Sequence, residues 1–70
     1  MKLSVYGRTL EVIKSDRGWT VYVLGADGKK RISHDIFIPS HIREKEITTY
    51  LEDLLHEWAS PGNDRVEKLD

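Results

Sequence analysis

The sequence predicts an α+β domain in which a four-stranded antiparallel meander is followed by one C-terminal amphipathic helix, packed on one face of the sheet. In the first half of the chain, apolar and polar residues alternate between glycine-containing turns. Apolar residues at intervals of three and four then form a stripe between Ile47 and Trp58. Seventy residues allow one domain, which we assign to residues 1–60, with residues 61–70 as a flexible C-terminal tail.

The first hairpin joins two alternating strands around Gly7-Arg8. A glycine at the first central position suits a two-residue type II′ turn, which sets Tyr6 opposite Thr9. In this register the four apolar residues of the two strands share one face, and they are Leu3, Val5, Leu10 and Val12.

The second turn, Ser15-Asp16-Arg17-Gly18, leads into a third strand that runs from Trp19 to Leu24. Gly18 can take the left-handed conformation that closes a four-residue loop. With Lys14 opposite Trp19, the apolar face of the first hairpin continues into the third strand.

The third hairpin is predicted at Asp27-Gly28, a dipeptide that favours a two-residue turn. The resulting register places Ile32 opposite Val23 and His34 opposite Val21, on the helix-facing side of the sheet. His34 is then either a hydrogen-bonded structural histidine or part of a site.

The helix has two possible starts in the sequence, an N-cap at Ser40 or a first turn near Glu44. Its end is marked by Pro61-Gly62-Asn63. We expect Trp58, the last aromatic residue of the helix, to pack near the Trp19 end of the third strand. The predicted buried stripe consists of Ile47, Tyr50, Leu51, Leu54, Leu55 and Trp58.

Composition argues against several classes of function. The chain has no cysteine, and therefore no disulfide, thiolate zinc site or cysteine nucleophile. Its longest apolar run is four residues, which is too short to span a membrane. No nucleophile motif or phosphate-binding loop occurs, and no three ligands have metal-binding spacing around His34, His41 or His56. We expect a cytoplasmic protein that is not an enzyme and uses no cofactor, metal ion or small-molecule substrate.

Charge is distributed unevenly along the chain. Residues 1–43 carry eight basic and four acidic side chains, a net charge of +4, and residues 44–70 carry three basic and eight acidic side chains, a net charge of −5. The acidic half fits a solvated helix face, or a molecule that presents opposite faces to different partners.

The face of the predicted sheet that the helix leaves uncovered mixes aromatic, aliphatic and hydrogen-bonding side chains. Such a mixture is typical of a modest protein interface. We therefore expect a non-enzymatic interaction or regulatory module that binds a protein partner, or a second copy of itself, through this face. The residues expected to take part are Tyr6, Arg8, Glu11, Tyr22, Leu24 and Arg31.

Nucleic-acid binding is the alternative, because Lys29-Lys30-Arg31 and Arg8 lie beside hairpin turns. Together with Gly18–Val23, the basic run resembles the three-stranded sheet of integrase arm-binding and plant AP2-type domains, which implies contact between the sheet face and the major groove. The sequence departs from that pattern by predicting Glu11 and Asp35 on the same face. The net charge of −1 also disfavours nucleic acid.

From Ile36-Phe37-Ile38-Pro39-Ser40 through Tyr50–Ala59, the chain resembles a small family of uncharacterised bacterial proteins of about seventy residues. The resemblance covers most of the chain. It implies a cytoplasmic bacterial protein, and it assigns no activity and no site residues.

Overall fold

The computed structural model describes residues 1–70, which form a five-stranded antiparallel sheet with one short α-helix on one face. The strands are β1 (Lys2–Val5), β2 (Arg8–Ser15), β3 (Gly18–Leu24), β4 (Lys30–Ile32) and β5 (Val66–Lys68), in the sheet order β4-β3-β2-β1-β5. The helix α1 (Ile47–Leu54) lies between two 3₁₀ turns, Glu44–Glu46 and His56–Trp58. No helix has the length and apolar character needed to cross a membrane. The α+β class and the antiparallel sheet are as predicted.

The turn between β1 and β2 differs from its prediction. Its two central residues are Tyr6 (φ +50°) and Gly7 (φ +86°), which is a type I′ turn, and Val5 lies opposite Arg8. The predicted pairing of Tyr6 with Thr9 is therefore wrong by two residues. A slip of two residues leaves every strand side chain on its original face, so the apolar pattern fits both registers equally well.

The register between β2 and β3 is confirmed, with Lys14 opposite Trp19 and Ser15 opposite Gly18. Gly18 has φ +127°, and a Cβ atom there would lie 2.9 Å from the carbonyl oxygen of Ile38. The turn thus needs glycine for its backbone conformation and for the close passage of a later segment.

The register between β3 and β4 is displaced by one residue from the prediction, because Ile32 lies opposite Tyr22 and not opposite Val23. The connection is longer than a two-residue turn. The Gly28 N–H donates to the Gly25 carbonyl oxygen over 3.0 Å, and Gly28 then takes a left-handed conformation with φ +82°. A type I turn followed by a left-handed glycine adds one residue to the hairpin loop.

This one-residue displacement moves each side chain of β4 to the other face of the sheet. Arg31 now points to the helix side, and Ile32 points away from it. Because β4 ends at Ile32, His34 lies outside the strand and is exposed, so its predicted position on the helix-facing side is wrong. The chain returns to the sheet at Ile38, which forms an isolated antiparallel bridge with Trp19.

The fifth strand lies in residues 61–70, the segment that we expected to be a flexible tail. Val66 pairs with Val5, and the Leu69 N–H donates to the Lys2 carbonyl oxygen over 2.8 Å. The predicted number of four strands is wrong. A three-residue strand with a single apolar side chain has no alternation that a sequence pattern could reveal.

The helical segment starts at Glu44, the later of the two predicted positions. The Arg43 N–H donates to Glu46 Oε1 over 3.1 Å, and the Glu46 N–H donates to the Arg43 carbonyl oxygen over 2.8 Å. This reciprocal pair satisfies backbone groups that the first turn leaves free. The α-helix itself is shorter than predicted, since it ends at Leu54.

The core lies between the sheet, the helix and the segment that precedes the helix. Trp19 Nε1 donates to the Ile42 carbonyl oxygen over 2.9 Å, which fixes the start of the helical segment at the Trp19 end of β3. Trp58 packs instead under Arg8, at the opposite end of the sheet, so its predicted position is wrong. The buried apolar residues are Leu3, Val5, Tyr6, Leu10, Val12, Val21, Ile36, Ile38, Ile47, Leu51 and Leu55.

Candidate interaction surface

The sheet face opposite α1 is called the open face here. Because side chains alternate between the two faces of a sheet, every second residue of each strand lies on the open face. Its members on the five strands are Lys2, Ser4, Thr9, Glu11, Ile13, Ser15, Thr20, Tyr22, Leu24, Lys30, Ile32 and Glu67.

Phe37 extends this face beyond the end of β4. It lies between two buried residues, Ile36 and Ile38, and Ile38 pairs with Trp19 on the core side of the sheet. Successive side chains of an extended segment point in opposite directions, so Phe37 points away from the core side that Ile36 and Ile38 occupy. Phe37 is 65% exposed, more than any other large apolar side chain of the protein.

An apolar patch results on the open face. Its members are Ile13, Thr20, Tyr22, Ile32 and Phe37. Three of the five exposed large apolar side chains of the chain belong to it, at 42% for Ile13, 50% for Ile32 and 65% for Phe37. Ile13 lies opposite Thr20 and Ile32 lies opposite Tyr22, so the patch is continuous across three strands. Contiguous exposed apolar side chains of this kind mark interaction sites more often than single ones do.

Charged groups lie beside the patch and over one of its members, Tyr22. Lys30 Nζ lies 2.8 Å from Glu11 Oε1, and it reaches this position across the ring of Tyr22, 5.0 Å from the ring centroid. The hydrogen bond from Lys30 lowers the pKa of Glu11, and the same bond raises the pKa of Lys30. With Lys2 and Glu67, the open face carries two positive and two negative side chains, which sum to zero.

The structure brings three of the six predicted binding residues together on the open face, namely Glu11, Tyr22 and Leu24. Tyr6 is not among them. Its side chain is 7% exposed, and its hydroxyl donates to the Glu52 carbonyl oxygen over 3.0 Å. Burial is the main cause that raises the pKa of the Tyr6 phenol. The predicted position of Tyr6 on the uncovered face is wrong, because Tyr6 lies in the turn between β1 and β2 and not in a strand.

The two predicted arginines also lie on the helix side. Arg8 is opposite the buried Val5, and its guanidinium stands 4.3 Å from the centroid of the Trp58 ring. Arg31 is opposite Val23 at the edge of the sheet. The predicted position of Arg31 on the uncovered face is therefore wrong, because β4 is displaced by one residue from its predicted register.

Sequence reasoning missed Ile32 and Phe37 as members of this surface. The signal for Phe37 was the run Ile36-Phe37-Ile38, in which the outer two residues share one side and the middle residue the other. The signal for Ile32 was Gly25 ahead of Asp27-Gly28, which permits the longer hairpin loop.

The histidines are distributed over the surface. His34, His41 and His56 are all exposed, and no group of three or more His, Cys, Asp or Glu side chains comes together in a way that could hold a metal ion.

Comparison with known proteins supplies a family. No curated protein and no solved structure matches the chain. The resemblance to a family of unknown function is confirmed over the whole chain, whereas bacterial origin stays a prediction. A family model described as a domain of unknown function (DUF7661) matches residues 1–70, and the chain therefore belongs to that family.

Proposed function

We propose that the chain is a non-enzymatic interaction module, which binds a protein partner or a second copy of itself through the open face of its sheet. The observation that carries this proposal is the apolar patch, where Ile13, Ile32 and Phe37 stand exposed around Tyr22. Tyrosine and phenylalanine are enriched at protein interfaces, since their large rings bury much area with little loss of rotamer freedom.

The size of the patch suggests a partner of modest affinity. Complete burial of one large apolar side chain contributes about 1.5–3 kcal/mol, and Ile13, Ile32 and Phe37 are each about half exposed. A partner that covered all three would gain roughly 3–4 kcal/mol from them before the costs of association. Tyr22 and the surrounding polar groups would have to supply the rest.

Nucleic-acid binding through the same face has less support. Phosphate contacts need an excess of cations, and the four charged side chains of the open face sum to zero. Arg8 and Arg31, on which that alternative depended, point to the other side of the sheet. A protein partner therefore fits the open face better than a nucleic acid does.

Site-specific photo-crosslinking tests the proposal. A photoreactive amino acid in place of Thr20, at the centre of the patch, is activated in cells that express the chain. Thr49, an exposed residue of α1, serves as the matched control position. We expect a discrete crosslinked protein product from position 20 and none from position 49.

The same experiment with Phe37→Asp added to the Thr20 variant shows whether the product depends on the patch. Loss of the product supports the proposal. Equal products from both positions, no protein product at position 20, or persistence of the product in Phe37→Asp would each contradict it. A product that contains nucleic acid would establish the alternative.

A further inference from the structure

We propose that the free edge of β4 binds an extended acidic segment of another protein, which adds to the sheet as a further strand. The bound strand alternates acidic residues, which face the helix side of the sheet, with apolar residues, which face the open side. This binding surface is the edge of the sheet and not its open face, so the inference goes beyond the proposed function.

The outer edge of β4 has unpaired backbone groups. β4 is the first strand in the sheet order, so only β3 lies beside it. The Ser33 N–H donates to the Val21 carbonyl oxygen over 2.8 Å, which sets the parity of the hydrogen bonds between the two strands. Because antiparallel hydrogen bonds join every second residue pair, Lys30 and Ile32 point their N–H and C=O groups outward. These groups form a template with which an added strand can pair.

The side chain of Lys30 does not cover this edge. Lysines often protect an edge strand from unwanted pairing. Here, however, Lys30 Nζ lies 2.8 Å from Glu11 Oε1 and 5.0 Å from the centroid of the Tyr22 ring. Glu11 belongs to β2 and Tyr22 to β3, so the Lys30 side chain extends inward across the open face. It therefore leaves the outer backbone of β4 accessible.

Two further cations give the edge a preference for acidic residues. Arg31 lies opposite Val23 on the helix side, and Lys29, two residues earlier, shares that side. Both side chains are exposed, and neither forms an ion pair. Both line a surface cavity of about 420 Å³, in which the one acidic residue, Asp27, already accepts the Lys29 N–H over 3.1 Å. Acidic side chains two residues apart on an added strand therefore meet an excess of positive charge.

The open side of the same edge is apolar. Ile32 points to the open face and is 50% exposed. Side chains that lie directly opposite on paired strands contact each other, so an apolar residue of the added strand packs beside Ile32. A strand that alternates acidic and apolar residues therefore matches both sides of β4 at once.

The charges of the two free edges argue against a second copy of this chain as the added strand. A second β4, paired antiparallel about a two-fold axis, brings its own Lys29 and Arg31 to the same side of the sheet. The other free edge, β5, places Lys68 on that side, opposite the buried Leu3. Like charges on neighbouring strands are destabilising. The edge thus favours a segment of a different protein.

Hydrogen exchange of the full chain, followed by NMR at each amide, is the primary measurement. The probe is a short synthetic peptide that alternates glutamate and valine and is blocked at both ends. The control peptide has the same composition, with the glutamates and the valines in two separate blocks. We expect the alternating peptide at saturation to slow exchange at Lys30 and Ile32 at least tenfold. Unchanged exchange at these two amides, or equal slowing by the control peptide, would overturn the proposal.

Arg31→Glu tests the role of charge. The variant should bind the glutamate–valine peptide at least tenfold more weakly in fluorescence polarisation, and it should gain binding to a peptide that alternates lysine and valine. Arg17→Glu is the matched control, because Arg17 is an exposed cation in the turn at the other end of β3. It should leave the affinity within twofold, and thermal unfolding checks that both variants are folded. Equal weakening by the two variants would show attraction by net charge alone and would overturn the site.

Ile32→Pro tests the pairing of the backbone. Proline is tolerated on an edge strand where its missing N–H faces away from the sheet, as the N–H of Ile32 does. Ile32→Ala is the matched control, because it shortens the side chain and keeps the N–H. We expect Ile32→Pro to bind the alternating peptide at least tenfold more weakly than Ile32→Ala. Equal affinities of the two folded variants would rule out strand addition at β4.

Discussion

The hydroxyl of Tyr6 donates a 3.0 Å hydrogen bond to the carbonyl oxygen of Glu52, and this bond ties the first hairpin turn to the last turn of the helix. Tyr6 is a turn residue with positive φ, yet its side chain is part of the core. A residue that would ordinarily mark the exposed tip of a hairpin thus fixes the position of the helix over β1.

Tyr6→Phe should lower the urea midpoint of unfolding, because the substitution removes this bond and keeps the ring. A second effect appears at high pH. The pKa of Tyr6 is raised in the folded state, so its contribution is complete below the unfolded pKa near 10 and is lost as pH rises through the folded value. The difference in stability between wild type and Tyr6→Phe should therefore shrink above pH 10. A difference that grows over this range would contradict the buried position of the phenol.

Leu51→Ala tests the packing of the helix on the sheet. Leu51 is fully buried, and removal of such a side chain costs about 2–5 kcal/mol. Leu54→Ala, at a position that is 43% exposed, should cost less than half as much. Urea denaturation measures both. Similar midpoints for the two variants would show that the helix does not present the Leu51 side to the core.

Gly18→Ala should destabilise the protein more than Gly28→Ala does. Both glycines have positive φ, so both substitutions strain the backbone. At Gly18 the new Cβ would also stand 2.9 Å from the carbonyl oxygen of Ile38, whereas at Gly28 it meets nothing within 4 Å. Thermal unfolding of the two variants should rank them in this order, and the opposite order would show that residues 38–40 do not pass close to Gly18.

Truncation after Arg65 tests the fifth strand. The deletion removes the hydrogen bonds that β5 makes to β1 and exposes the core beside Val66, at a cost of roughly 1–3 kcal/mol. Hydrogen exchange should quicken at β1 amides and change little in β3. An unchanged unfolding midpoint and unchanged exchange in β1 would mean that residues 66–70 behave as a loose tail.

The sequence was sufficient to predict the fold class and the β2–β3 register, because Gly18 and the apolar alternation agree there on one pairing. The sequence was insufficient to predict the strand pairing wherever two registers fit the same apolar pattern. The Tyr6-Gly7 turn differs from the predicted turn by an even slip, which alternation cannot detect. At Asp27-Gly28 the chain forms a longer loop than the two-residue turn that this dipeptide favours. The one extra residue places each side chain of β4 on the face opposite to the predicted one.

The candidate site shows the same limits. Glu11, Tyr22 and Leu24 lie on the open face because β2 and β3 have the predicted register. Ile32 joined them only through the one-residue displacement of β4, and Phe37 only through the return of the chain beside Trp19. Ile32 depends on the length of the hairpin loop before β4, and Phe37 depends on the segment after β4; composition alone determines neither length.

The pairing of Val5 with Val66 joins residues from the two ends of the chain, while β2, β3 and β4 are linked by consecutive hairpins. Hairpins close short loops and form quickly, whereas the last strand pairs only after nearly the entire polypeptide has closed on itself. During folding, β1 is therefore an open edge until β5 docks. The pairing of β5 with β1 therefore adds contacts of large sequence separation to a sheet otherwise built from local hairpins, and such contacts slow folding.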